Sequence, residues 1–68
     1  MKTTIKKQVF NALCDYLIAR KAYSDRNECL NDLEHDSEMV IGTLIYLDAM
    51  GEPNAIDMYY SYMTVLEA

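Results

Sequence analysis

The sequence has few of the residues that build cofactor and metal sites. It contains two glycines, one histidine, two cysteines and no tryptophan. Gly42 and Gly51 alone cannot make a glycine-rich phosphate-binding loop. Cys14, Cys29 and the single histidine fall short of a zinc-binding pattern, and both cysteines lie among apolar positions, as structural thiols do. No nucleophile stands beside a base and an orienting group, so we expect no enzyme, no catalytic residue and no cofactor.

A long hydrophobic run is also missing. The most apolar segment, Glu38–Met50, has 13 residues, whereas a membrane-spanning helix needs about 20. Met1–Lys7 is basic, but no long apolar region follows it as in a signal peptide. We therefore expect no membrane association, and a cytoplasmic location in which both thiols stay reduced.

Basic residues are missing from most of the chain. All six lysines and arginines lie in the first 26 positions, whereas residues 27–68 carry nine acidic residues, and the net charge is −5. This asymmetry favours attraction between the two parts, within the fold or across a dimer. Alternatively, the acidic part is a surface for a basic partner.

Helix signals divide the chain into four segments. Asp25 and Asp36 precede apolar periodic stretches as N-caps, Gly51 follows one as a C′ residue, and Pro53 suits the first position of a helix. The sequence predicts an all-α, compact bundle of four short helices in one domain spanning residues 1–68. The predicted helices cover about residues 4–23, 26–34, 37–50 and 53–66. A strand over Met39–Leu47 is the alternative, because short apolar runs are ambiguous.

The first predicted helix has a broad apolar face that contains two cations. Thr3 or Thr4 is its predicted N-cap. Its face is formed by Ile5, Val9, Ala12, Leu13, Tyr16 and Tyr23. Lys6 and Arg20 lie within this face, either with their charges reaching water or in partly buried ion pairs. Asp48 is the corresponding acid among the apolar residues of the third helix. We therefore expect an Arg20–Asp48 ion pair, within or between chains, that sets register more than stability.

The third helix is apolar on almost every side, which predicts burial on every side. A domain of this size buries only about 60% of its unfolded surface. We therefore expect the other three short helices to leave part of this helix uncovered. A homodimer would bury the remaining face. The predicted self-association residues are Val40, Leu44, Leu47, Tyr59, Tyr60 and Met63. The cluster of Tyr59, Tyr60 and Tyr62 is open to three interpretations: core, dimer contact or partner surface.

Acidic residues are dense between the second and third helices. The predicted acidic partner face comprises Glu28, Asp32, Glu34, Asp36 and Glu38. A metal site using His35 is an alternative, but the segment lacks the glycine and alternating ligands of an EF-hand. A second alternative is a nucleic-acid mimic that inhibits a DNA-binding or nuclease system, as anti-restriction and anti-CRISPR proteins do. A third is a weakly DNA-binding dimer that uses Lys7 and Lys21, although these two lysines offer few phosphate contacts and the acidic composition does not favour nucleic acid as a partner.

The segment Cys14–Met63 also resembles a known group of proteins. The overall residue pattern of its stretches CDYLIARKAYSDRNECLNDLEHD and AIDMYYSYM resembles that of the small helical orphan proteins of the early region of lambda-type phages and prophages. The resemblance implies a non-enzymatic, dimeric protein in the cytoplasm of a bacterial host, where it influences host physiology or the choice between lysis and lysogeny. Our leading hypothesis is an acidic homodimer that regulates by binding a host or phage protein.

Overall fold

The computed structural model describes residues 2–67, and for Lys2 and Thr3 it describes the backbone alone. Within this range the chain forms four α-helices and no strand. The helices are α1 (Lys2–Ala19), α2 (Arg26–His35), α3 (Ser37–Ala49) and α4 (Ala55–Glu67). The all-α prediction is confirmed, and the alternative of a strand over Met39–Leu47 is wrong.

The first helix begins and ends earlier than predicted. It already includes Thr4, so Thr4 is not its N-cap, and the side chain of Thr3 lies outside the described residues. At its end Lys21 adopts a left-handed conformation with φ of 62°. The Lys21 and Ala22 N–H groups donate to the carbonyls of Ile18 and Leu17, both at 2.9 Å. This Schellman pattern stops the helix, and Tyr23 therefore lies in the following link rather than on α1.

One residue connects α2 and α3. Asp36 is the C-cap of α2 and the N-cap of α3, and its Oδ1 accepts from the Met39 N–H at 3.1 Å. Asp25 caps the start of α2 in the same way, accepting from the Asn27 N–H at 3.0 Å. Both caps satisfy backbone donors that the first helical turn leaves unpaired. The predicted starts of α2 and α3 are thereby confirmed.

The third helix ends with a second Schellman pattern. Gly51 has φ of 89°, a conformation that glycine adopts without steric cost. The Gly51 and Glu52 N–H groups donate to the carbonyls of Asp48 and Leu47 at 3.0 Å each. Pro53 then lies in the turn, and α4 begins two residues later than predicted, at Ala55.

All four helices contribute to one hydrophobic core. The buried residues are Val9, Phe10, Leu13 and Cys14 of α1, Cys29 and Leu33 of α2, Val40, Leu44 and Leu47 of α3, and Ala55 and Tyr62 of α4. The rings of Phe10 and Tyr62 meet in a tilted pair with centroids 6.0 Å apart. Both α1 and α3 contact the other three helices, whereas α2 and α4 do not contact each other.

The third helix is not covered on every side within one chain. Val40, Leu44 and Leu47 face the core, but Ile45, Tyr46 and other residues of its opposite side are exposed. The prediction of burial all round is therefore wrong for a single chain. The cause is geometric, since α1, α2 and α4 pack against the inner side of α3 and its flanks and leave the outer side open to solvent.

Candidate functional site

The outer face of α3 exposes several apolar side chains. Ile45 is 54% exposed, Tyr46 46% and Met50 58%. Gly42 and Ala49 lie beside them and are also exposed. A contiguous apolar patch of this kind on a small protein is typical of an interaction site.

A groove of about 560 Å³ borders this face. It lies between the end of α1 and α3 and is lined by Tyr16, Leu17, Arg20, Ala22, Met39, Gly42, Thr43 and Tyr46. The lining is mostly apolar, with a single cation. Thr43 turns its hydroxyl back to the Met39 carbonyl at 2.8 Å, so it offers little hydrogen bonding to a ligand.

Arg20 is held at the edge of this groove by two tyrosines. Its Nη2 donates to Tyr46 Oη at 3.1 Å, and its guanidinium carbon lies 5.1 Å from the centroid of the Tyr16 ring. The second contact is a cation–π interaction. Among the described residues, no carboxylate lies within ion-pair distance of Arg20. Since a guanidinium has five N–H donors, most of its hydrogen-bonding capacity is free.

The predicted Arg20–Asp48 pair does not form within the chain. Tyr46 and Asp48 are two residues apart on α3, roughly 200° around the helix axis. Arg20 bonds to Tyr46 and therefore lies on the opposite flank from Asp48, which is exposed. Within one chain the prediction is wrong. A pair between two chains is compatible with this placement.

Lys6, the other cation of the apolar face of α1, has an acidic partner. Its Nζ donates to Glu34 Oε1 at 3.0 Å and lies 5.6 Å from the Phe10 ring centroid. The second ion pair among the described residues joins Arg26 to Asp15 at 2.8 Å. Both pairs are exposed to solvent at least in part, where screening leaves an ion pair with little effect on stability.

The predicted self-association residues divide into two groups. Val40 and Leu44 have no exposed surface and Leu47 has 4%. They cannot contact a second copy without opening the core, so their assignment to the interface is wrong. The other three lie on α4: Tyr60 is 64% exposed, and Tyr59 and Met63 are half-buried.

The tyrosine cluster of α4 likewise has more than one role. Tyr62 belongs to the core, where burial raises its pKa. Tyr59 packs against the core edge, and its ring meets Tyr60 edge-on at a centroid distance of 5.5 Å. Tyr60 points outward, one turn after the exposed Ile56. The helix thus presents an apolar outer face that begins at Ile56 and includes Tyr60.

The predicted acidic face does not form one surface. Asp32 accepts from Tyr23 Oη at 2.6 Å, Glu34 bonds to Lys6, and Asp36 caps α3. Asp32 and Glu34 point to opposite sides of α2, because two residues turn a helix by roughly 200°. Glu28 and Glu38 remain exposed. Three of the five carboxylates therefore make contacts within the fold.

The two cysteines lie side by side in the core and are not bonded to each other. Burial, together with the neighbouring Cys14, raises the pKa of Cys29 to about 12. A thiol with such a pKa is a poor nucleophile near neutral pH. Within the described part of the chain, no three histidine, cysteine or acidic residues come together as a metal site. In that same part, no helix combines the length and apolarity needed to cross a bilayer.

Comparison with protein-family models, curated proteins and solved structures gave no match to this chain. A functional assignment therefore depends on the chemistry of the chain's own surface. Within residues 4–67, whose side chains are described, exposed apolar side chains form the outer face of α3 and the outer face of α4.

Sequence reasoning missed the residues that form most of these faces: Ile45, Tyr46, Met50 and Ile56. The apolar character of α3 on every side was the available signal. It indicated that some face of α3 lacks cover, but periodicity alone cannot decide which side packs inward. In α4, the sequence likewise does not distinguish the exposed Ile56 from the buried Tyr62.

Proposed function

We propose that this chain is a non-enzymatic, homodimeric protein that acts by binding another protein through the outer face of α4. The observation that carries the proposal is the exposure of Tyr60, the most exposed large hydrophobic side chain among the described residues. Tyrosine is enriched among the residues that dominate binding energy, because its ring packs while its hydroxyl keeps a hydrogen bond.

Charge favours a partner of definite chemistry. Asp57 and Glu67 accompany Ile56 and Tyr60 on α4, and no lysine or arginine follows Arg26. The charged residues that α4 itself contributes beside this face are therefore carboxylates, which complement lysine or arginine on a partner. The partner is therefore a protein with a basic rim around an apolar site. The resemblance to phage early-region proteins supports a host or phage protein as the partner, in the bacterial cytoplasm. Free thiols such as the buried Cys14 and Cys29 stay reduced there.

The nucleic-acid mimic is the weaker alternative. A mimic needs carboxylates repeated along one surface, whereas Asp32, Glu34 and Asp36 are turned in different directions and make contacts within the fold. The DNA-binding alternative is weaker still. It relies on Lys7 and Lys21, and these two exposed lysines offer few phosphate contacts. Lys6 and Arg26 add little, since both are already paired with acids. Neither alternative has an observation that favours it.

A photo-crosslinking residue placed at position 60 tests the proposal. The control carries the same residue in place of Lys7, which is exposed on α1. In cells that make the chain, we expect one discrete adduct from position 60 and none of that mass from position 7. The purified partner should then bind Tyr60→Ala at least about tenfold more weakly, and Ser61→Ala like the native chain.

Two outcomes would contradict the proposal. One is the same diffuse adduct pattern from positions 60 and 7. The other is an adduct whose mass equals two copies of this chain, which would assign the α4 face to self-association. The charge argument has its own check: binding to the partner should weaken as salt rises, because carboxylates and cations at the rim are screened.

A further inference from the structure

We infer that two copies of this chain associate as a parallel two-fold dimer through the outer face of α3, with Arg20 of each copy paired to Asp48 of the other. This inference gives the dimer of the proposed function an interface and a symmetry, and it rests on that part of the proposal.

The angular order of the residues on α3 carries the inference. Successive residues turn a helix by about 100°. On the solvent side, Ile45 and Ala49 therefore lie midway between Tyr46 on one flank and Asp48 on the other. Tyr46 holds Arg20 at 3.1 Å. The outer face of α3 thus runs from a cation, across an apolar centre, to an anion.

Such a face is complementary to itself in one orientation only. A two-fold axis parallel to α3 places the flank with Tyr46 and Arg20 of one copy against the flank with Asp48 of the other. Arg20 then faces Asp48 of the second copy, twice. Tyr46 and Asp48 differ in height by only about 3 Å along the helix, which an arginine side chain spans. In an antiparallel pair, like flanks would meet, and Arg20 would oppose Arg20.

Small residues at the centre allow close approach. Gly42 and Ala49 are exposed beside Ile45 on the same face. A Cβ built on Gly42 meets no atom within 4 Å, so the fold itself does not require a glycine there. Two helices approach most closely where such small side chains face each other. The arrangement also gives Arg20 an acidic partner, which it lacks among the described residues of a chain with 11 acidic residues.

The interface of such a dimer can be compared with the surface of one chain. A standard interface buries about 800 Å² per copy, which is about a sixth of the 4574 Å² surface of the chain.

The parallel arrangement also places Glu38 of the two copies near each other, because Glu38 lies at the start of the same apolar centre. Repulsion between these carboxylates should weaken the dimer.

Charge exchange between the two positions is the decisive experiment. Mass is measured by light scattering from about 1 to 100 µM, the range over which small interfaces dissociate. We expect Arg20→Asp and Asp48→Arg each to weaken association at least about tenfold. The double variant, with both charges exchanged, should return to within about threefold of the native value. Both residues are exposed, and far-UV circular dichroism checks that each variant folds.

Two further variants test the face and the orientation. Gly42→Leu should fold but abolish the dimer, because it adds bulk at the centre of the contact. Glu38→Gln should strengthen the parallel dimer several-fold, whereas an antiparallel dimer would not respond.

The outcomes separate the inference from the proposed function. A dimer that is insensitive to Arg20→Asp and Asp48→Arg overturns the pairing. A dimer that tolerates Gly42→Leu overturns the interface. A native chain that stays monomeric throughout overturns the dimer itself. In all three cases, partner binding through Tyr60 would still be judged by its own crosslinking experiment.

Discussion

Tyr23 Oη donates a hydrogen bond of 2.6 Å to Asp32 Oδ2, which joins the link after α1 to the middle of α2. The same hydroxyl lies 3.9 Å from Met39 Sδ of α3. One side chain outside the helices therefore contacts both α2 and α3. The hydrogen bond to the carboxylate is the main reason that the pKa of Tyr23 is raised to about 12, with burial a smaller cause.

Tyr23→Phe and Tyr16→Phe should have opposite effects on stability. Tyr23→Phe removes a hydrogen bond to a carboxylate, which we expect to lower the free energy of unfolding by about 1 kcal/mol in this partly exposed setting. The Tyr16 hydroxyl is buried and has no hydrogen-bond partner among the described residues. Its removal should leave the free energy unchanged or raise it by up to about 1 kcal/mol. Urea unfolding followed by circular dichroism measures both, and a loss with Tyr16→Phe equal to that with Tyr23→Phe would contradict this distinction.

Stability should fall in alkaline solution. The pKa of Tyr23 is about 12 in the folded chain and about 10 in an unfolded one. The folded state therefore keeps a proton that the unfolded state loses. The stabilisation is complete below about pH 10 and disappears as the pH rises toward 12. Urea unfolding at several pH values should show a steeper decline for the native chain than for Tyr23→Phe, and equal slopes would refute the assignment.

The Schellman patterns that end α1 and α3 allow the cost of a left-handed backbone conformation to be compared at two positions. Lys21 and Gly51 occupy equivalent left-handed positions after α1 and α3. Lys21→Gly should stabilise the chain by about 0.5–1 kcal/mol, because it relieves the Cβ clash. Gly51→Ala should destabilise the chain by a similar amount, because alanine is strained at this positive φ. The added Cβ itself meets no atom within 4 Å. Thermal unfolding compares the two, with Lys21→Ala as the control for loss of charge.

The cysteines should be protected from reagents in the folded chain. Cys14 and Cys29 have no exposed surface, and the pKa of Cys29 is about 12. We expect their reaction with a disulfide reagent at mildly alkaline pH to be roughly 100- to 1,000-fold slower than in denaturant, as set by the opening of a small core. Fast reaction of either thiol in the native chain would show that the contact between α1 and α2 opens readily.

Local signals made the start of α2, the start of α3 and the end of α3 predictable. Asp25, Asp36 and Gly51 each act through a hydrogen bond or a backbone angle within a few residues, so the sequence contains the whole cause. The end of α1 was missed because Lys21 is not a typical residue for a left-handed position. No residue type marked the stop, and Tyr23 was therefore placed on the helix.

The candidate surfaces depend on tertiary packing and were harder to predict. Leu44 and Ile45 are adjacent and equally apolar, yet one is fully buried and the other is 54% exposed. Their difference comes from where α1 and α4 dock on α3, which no pattern within α3 encodes. For Arg20, the unusual position inside an apolar arc was recognisable, but its tyrosine partners Tyr16 and Tyr46 were not.

The single-residue link at Asp36 has a consequence for how this chain tolerates changes in length. The other two links, residues 20–25 and 50–54, have room to absorb an inserted residue. The link at Asp36 cannot absorb an insertion, because an added residue would separate one helix from its cap and shift α3 relative to α2. Arg26–Ala49 therefore behaves as a segment of fixed length, and related or engineered chains should gain and lose residues on either side of it but not within it.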